Sequence, residues 1–164
     1  MTNKIDSYRN SELPQRQREA IAPHIVVSIV IPFFNESQTL ETLVNRVVKN
    51  PFSKEIVLVD DGSTDDSLAI ARRLAAQHTS CVNGFTNQLI VKVHEKNIGK
   101  GAALRTGLLN VSGDLVVLQD ADLEYHPEEI LQLIQPIIDD RADVVYGSRF
   151  INEGLDKTRK NSSG

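Results

Sequence analysis

Five short apolar runs, alternating with stretches of helical spacing, constrain the fold of this chain more than any other feature. Val26 to Ile31 is apolar and β-branched at nearly every position, which is how a strand buried on both faces reads. Ile56 to Val59, Leu89 to Val93, Leu115 to Leu118 and Val144 to Tyr146 have the same character. Leu40, Leu43, Val44, Val47 and Val48 recur at i, i+3, i+4, i+7 and i+8, one face of a helix. Asn35-Glu36-Ser37 offers caps before that helix, and Asn50-Pro51 stops it. A second helix is expected from Asp65 or Asp66, as cap, to about Gln77. A third leaves a glycine-rich loop at Asn97 to Gly101 and runs to about Leu109. A fourth opens at His126-Pro127 and carries Ile130, Leu131, Ile134, Ile137 and Ile138. Pro136 should kink or end it. This alternation predicts an α/β fold, a mostly parallel Rossmann-like sheet with helices on both faces.

Length and composition fit one such domain. The chain has 164 residues, 40% of them hydrophobic, enough for a sizeable core. Its 22 acids against 18 bases, net −4, argue against a nucleic-acid partner held by a basic face. No membrane span is expected: the longest apolar run, Ile25 to Phe34, is broken by Ser28 and Pro32 and falls short of about 20 residues. Cys81 is the lone cysteine, so no internal disulfide is possible. Residues 1–24 read as a polar arm without the apolar region of a signal peptide, and 152–164 as a polar tail.

Ligands of open parallel sheets bind beyond the carboxyl ends of the strands, and there this sequence is rich in acids and glycine. Pro32 to Glu36 follow the first run and Asp60 to Thr64 the second. Asn97 to Gly101, with Lys100, come after the third, and their backbone N–H groups and cation suit an anion. Asp120-Ala121-Asp122, with Glu124 two residues on, follow the fourth, and Gly147-Ser148-Arg149 the fifth. Two carboxylates at i and i+2 leaving a strand point the same way, and hard carboxylate oxygens suit Mg2+ or Mn2+. A diphosphate beside them needs such a bridging ion. The four histidines (His24, His78, His94 and His126) show no metal-ligand spacing and read as structural or surface residues, His126 being nearest the acids.

Taken together, these residues resemble the family 2 glycosyltransferases of GT-A fold, in particular the dolichyl-phosphate mannose synthase-like, or polyprenyl-phosphate sugar transferase, branch. The matching stretches are Ile29 to Glu36, Leu58 to Asp65, Asn97 to Leu104, Gln119 to Glu124 with Pro127-Glu128, and Val145 to Phe150. Their order and spacing agree from about residue 26 to 150, so residues 25–151 are expected to be a nucleotide-sugar-binding domain. The resemblance implies that Pro32, Phe34 and Glu36 hold the nucleobase and that Val59, Asp60 and Asp61 contact base and ribose. It implies that Asp120, Ala121 and Asp122 form the D-x-D that binds metal and diphosphate. Glu124 stands where the branch often has Gln as a further metal contact, and Arg149 matches an arginine near the donor phosphates.

The implied reaction is a single displacement with inversion from a UDP- or GDP-linked sugar, with Mg2+ or Mn2+, to a polyprenyl phosphate. Asp122 and Arg149 would carry its catalytic electrostatics. A lipid phosphate is largely anionic already and does not require the general base that a hydroxyl acceptor would. The expected place is the cytoplasm, at the cytoplasmic face of a membrane. Relatives continue beyond the Gly-Ser-Arg-Phe stretch into acceptor-binding elements, whereas a polar tail follows here. The chain is therefore expected to be a donor-binding portion, with a non-catalytic nucleotide-sugar-binding fragment as the alternative. A response-regulator receiver would place its acid pair after the first strand, and a haloacid-dehalogenase-like phosphatase its Asp-x-Asp there.

Overall fold

In a computed structural model, residues 25–82 and 85–147 are described. The polar arm (1–24), the polar tail (152–164) and Arg149 lie outside them. The elements are β1 (Val26–Phe33), α1 (Leu40–Val48), β2 (Ser53–Asp60), α2 (Ser67–His78), β3 (Ser80–Val82), β4 (Phe85–Val93), α3 (Lys100–Leu108), β5 (Leu115–Leu118), a 3-10 turn (Pro127–Glu129) and α4 (Ile130–Ile138). The five strands form one sheet in the order β3-β4-β2-β1-β5. Four are parallel, with Ile29 opposite both Ile56 and Val117, and Ile56 opposite Leu89. Only β3 runs antiparallel, along β4.

Period-two alternation divides the core between the two faces of this sheet. Val27, Ile29, Ile31 and Phe33 of β1 and Ile56 and Leu58 of β2 pack with Leu40, Leu43, Val44 and Val47 of α1 and with Ala71 and Leu74 of α2. Ile130 and Ile134 of α4 close the same cluster. Val30, Val57 and Val59 point to the other face, under Ala103 of α3. The helix approaches closely there, because a Cβ on Gly107 would collide with Cγ1 of Val30. All eight residues of β2, the central strand of the five, are buried, with neighbours on both edges and helices on both faces.

Three departures from the sequence expectation have physical causes. β2 begins at Ser53 rather than Ile56, because its polar start is satisfied inside the protein. Lys54 Nζ donates to the carbonyls of Val48 and Asn50, at the end of α1, and to Asn87 Oδ1. Glu55 accepts from Ser28 Oγ (2.6 Å) and from the backbone N–H and hydroxyl of Ser112. β4 likewise starts at Phe85, earlier than Leu89, because pairing with β3 orders its polar beginning. The third departure is Val144 to Tyr146: no strand forms there, no sheet partner engages the run among the described residues, and Tyr146 is 87% exposed.

The helices begin and end nearly where expected. α1 starts one residue after Thr39, whose hydroxyl donates to the Glu36 carboxylate, rather than on a cap within residues 35–37. Asp65 accepts the Ser67 backbone N–H at the start of α2. Pro136 is tolerated near the end of α4, which stops two residues later. Asp140, at φ +58°, closes it, with Arg141 N–H bonded to the Pro136 carbonyl and Asp140 N–H to that of Ile137. No helix among the described residues is long and apolar enough to cross a membrane.

Candidate nucleotide-sugar site

From β1 the sheet grows one way through β2 and β4 and the other way to β5, so strand order reverses between β1 and β5. At such a switch point the loops beyond the strand ends turn apart and leave a crevice. Here it is a cleft of about 290 Å³. Pro32, Phe33, Phe34 and Glu36 enter it from β1, Asp61 from β2, and Asp120, Ala121 and Asp122 from β5. Asn97, Gly99, Lys100 and Ala103 complete it from the loop and first turns of α3.

The loops after β1 and β2 are tied together. Asn35, in the left-handed region at φ +56°, accepts the Thr64 N–H on its side-chain oxygen, and its own N–H donates to Ser63 Oγ. Asp65 accepts the Ser37 N–H. Asp60 is buried below the loop and accepts the Ser63 N–H. Neither Asp60 nor Val59 supplies a side chain to the cleft wall, since Val59 lies in the core under α3.

Asp61 is the hinge of this wall. Its Oδ1 accepts from Ile98 N–H at 3.1 Å and lies 2.7 Å from His94 Nδ1, while Oδ2 accepts from Gly99 N–H at 2.8 Å. Burial pushes its pKa up, but the bonds from His94 and the two amides outweigh that and hold it below the usual carboxylate range. The loop N–H groups of Ile98 and Gly99, expected to serve an external anion, serve this internal one instead. The approach depends on Gly62: its φ is +75°, and a Cβ would stand 2.5 Å from the Lys96 carbonyl carbon.

Opposite, Asp120 lies 2.6 Å from Lys100 Nζ. Asp122 is exposed, and its Oδ1 accepts the Glu124 N–H at 3.1 Å. Leu123, between them, adopts φ +63°, a conformation that costs a non-glycine residue about 1 kcal/mol or more. Strain at that point turns the chain sharply behind the acids. Glu124 is exposed and outside the cleft wall. Among the described residues no cluster of three or more acidic, histidine or cysteine side chains could hold a metal by itself. Two carboxylates in one cleft, Asp120 half-buried and Asp122 exposed, fit a hard divalent ion that keeps positions for phosphate oxygens and water, and do not fit an all-protein cage.

Phe33, Asn97, Gly99 and Ala103 reach the cleft without having been singled out individually. Phe33 lay within the Pro32 to Glu36 stretch, Ala103 within the Asn97 to Leu104 stretch, and Asn97 and Gly99 in a loop read as a whole. His94, read as structural or surface, is an inner support of Asp61. His126 accepts from Arg46 at 3.1 Å, beside the ion pair of Arg46 with Glu128.

Known proteins are similar to this chain in sequence and fold. The sequence model described as Glycosyl transferase family 2 matches residues 28–164. An undecaprenyl-phosphate 4-deoxy-4-formamido-L-arabinose transferase of Serratia proteamaculans is 38% identical over 76% of this chain and 37% of its own length. A UDP-N-acetylglucosamine–dolichyl-phosphate N-acetylglucosaminyltransferase of Methanococcus voltae is 34% identical over 77% of this chain and 53% of its own. The chain thus spans between about a third and a half of the length of these curated relatives. Among solved structures, a mannosyltransferase of Pyrobaculum calidifontis in complex with GDP-Man and Mn2+ superposes with a TM-score of 0.52, at 28% identity over 64% of this chain and 30% of that one. Glucosyl-3-phosphoglycerate synthase of Mycobacterium tuberculosis, with Mn2+, UDP and glucosyl-3-phosphoglycerate, gives 0.55 at 27% identity over 79% of this chain and 45% of that one. With the family model covering most of the chain and a parallel sheet of matching fold beneath it, the chain belongs to glycosyl transferase family 2.

Proposed function

We propose that this chain binds a nucleoside-diphosphate sugar in the cleft and serves its inverting transfer to a polyprenyl phosphate at the cytoplasmic face of a membrane. The observation that carries the reading is the convergence of Glu36, Asp61, Lys100, Asp120 and Asp122 from three strand ends and one helix start on a single cleft. Its volume is near the lower end, about 300 Å³, for small-molecule sites. The relatives' names add the acceptor class, undecaprenyl or dolichyl phosphate. The solved structures add GDP-Man in one case and UDP in the other, each with Mn2+.

Each residue contributes a distinct interaction. Pro32, Phe34 and Glu36 form the wall toward the nucleobase, with Asp61 beneath base and ribose; Val59 and Asp60, whose side chains do not reach the cleft wall, support Asp61 from the end of β2. Asp120 and Asp122 would hold Mg2+ or Mn2+, while the small Ala121 lets the diphosphate approach the backbone; Glu124, outside the cleft wall, is not needed as a ligand. The ion, when bound, neutralises charge that grows on the departing nucleoside diphosphate. Lys100, on the rim shared with Asp120, offers the diphosphate a second cation, and Arg149 supplies another in the same role. No residue here has to remove a proton, because a lipid phosphate attacks as an anion.

Incubating the protein and Mn2+ with labelled UDP- and GDP-linked sugars and vesicles containing undecaprenyl phosphate tests the proposal. Label appearing in the lipid, and only with the divalent ion, is the expected result. Metal-dependent nucleotide binding without transfer would reduce the function to donor binding. Absence of both binding and transfer would refute the site.

A further inference from the structure

His94 belongs to no motif, yet it occupies the junction of three elements that build the cleft. It directly follows β4, and its backbone N–H extends the sheet ladder to the Asp60 carbonyl at 2.9 Å. Its ring Nδ1 lies 2.7 Å from Asp61 Oδ1 and its Nε2 lies 2.8 Å from Thr106 Oγ1, in the last turn of α3. Both side chains of the His94–Asp61 pair are almost wholly buried, 11% and 4% exposed. A carboxylate only accepts, so Nδ1 carries the proton and donates, which leaves the Thr106 hydroxyl to complete Nε2. The imidazole is thereby fixed at both ends, and it fixes Asp61.

Asp61 holds the Ile98 and Gly99 amides on its remaining acceptor sites, and Lys100, which faces Asp120, is the next residue. Without the His94 bond, a buried carboxylate would lose one of its three donors. Rotating out toward water in the cleft would then release the two amides. One side chain outside the cleft thus governs both the floor beneath the nucleotide and the loop that presents the cation.

We propose that His94 is a positioning residue of the nucleotide site. Braced by Thr106, it holds Asp61 in the orientation that pins the Asn97–Gly99 loop. The inference rests on the proposed function only in naming a nucleotide as the ligand; the pinning of the loop stands by itself.

The test compares His94→Ala, His94→Asn and Thr106→Val with the unmodified chain by two readouts. One is the Kd for UDP and GDP in the presence of Mn2+. The other is hydrogen exchange at the Ile98 and Gly99 amides, measured without ligand. His94→Ala should speed exchange at both amides and weaken nucleotide binding about tenfold or more, the usual consequence of losing a bond to a charged group. Asparagine places an N–H near the site of Nδ1, so His94→Asn should restore amide protection and bring the Kd back to within roughly threefold. Thr106→Val should fall between them, and it also serves should His94→Ala fail to fold. Unchanged exchange at Ile98 and Gly99 in both His94→Ala and Thr106→Val would overturn the inference. So would an asparagine variant as weak and as unprotected as the alanine variant. If the unmodified chain binds neither nucleotide while the exchange pattern changes as described, the ligand assignment fails and the positioning role stands.

Discussion

Replacing Lys100 by alanine should change metal and nucleotide affinity in opposite directions. In the nucleotide-free protein the Lys100 ammonium stands 2.6 Å from Asp120 Oδ1 and so competes with a divalent ion for that carboxylate. The lysine side chain is 61% exposed and the aspartate 32%, so solvent screens the pair. Such pairs contribute about 0.2–1 kcal/mol, which corresponds to a factor of about 1.4–5 in a binding constant. Mn2+ alone should therefore bind the Lys100→Ala protein more tightly by that factor. UDP or GDP added with Mn2+ should bind more weakly, because the diphosphate has lost a cation. Alanine is a good helix former at the start of α3, so the fold should be untouched. Electron paramagnetic resonance of free Mn2+ reads the first constant and calorimetry the second. Unchanged or weaker Mn2+ binding would refute the competition, and tighter nucleotide binding would refute the role given to the lysine.

Other perturbations follow from the packing and the charges. Gly107→Ala drives a methyl group into Val30 and should cost about 1–3 kcal/mol in chemical denaturation, whereas an alanine at exposed Gly101, which meets nothing, should not. Gly62→Ala strains a left-handed turn and pushes on Lys96 and Asn97; nucleotide affinity should fall together with thermal stability, read by calorimetry and melting. The Arg46 hydrogen bonds hold Glu128 at about pKa 2, below its ordinary 4.5. A depressed carboxylate stabilises the fold fully above pH 4.5 and loses that contribution as pH falls toward 2. The melting temperature of Glu128→Gln should therefore lie below that of the unmodified chain at pH 6 and converge with it on acidification; a constant gap would contradict the pairing.

Much of this fold is legible in the sequence because the signals are local. The doubly apolar runs of β1 and β2 state that both faces are covered, whereas the equally apolar β5 leaves Val116 and Leu118 exposed among the described residues; the spacing of Leu40, Leu43, Val44 and Val47 states which face of α1 turns inward. What is not legible depends on partners distant in the chain. Lys54 and Glu55 look like loop residues until the carbonyls closing α1, together with Asn87, Ser28 and Ser112, make them buried members of β2. Val144 to Tyr146 has a strand's composition, but composition does not provide a neighbour, and none pairs with it among the described residues. The site divides in the same way. Pro32, Phe34, Glu36, Asp61, Lys100 and Asp120 to Asp122 line the cleft from the strand and helix ends where the sequence is rich in acids and glycine. His94, 33 residues from Asp61, gives no local sign of its task.

The central claim is that Asp120 and Asp122 make nucleotide binding depend on a divalent ion. It is tested most directly by calorimetric titration of UDP and of GDP, with and without Mn2+, into the unmodified chain and into Asp122→Ala. Asp122 is exposed, so the variant should fold and melt as the unmodified chain does. At least one nucleotide should bind the unmodified chain only when Mn2+ is present, and the folded variant should show no such dependence. Equal binding with and without the ion, or metal-dependent binding that survives Asp122→Ala, would contradict the account.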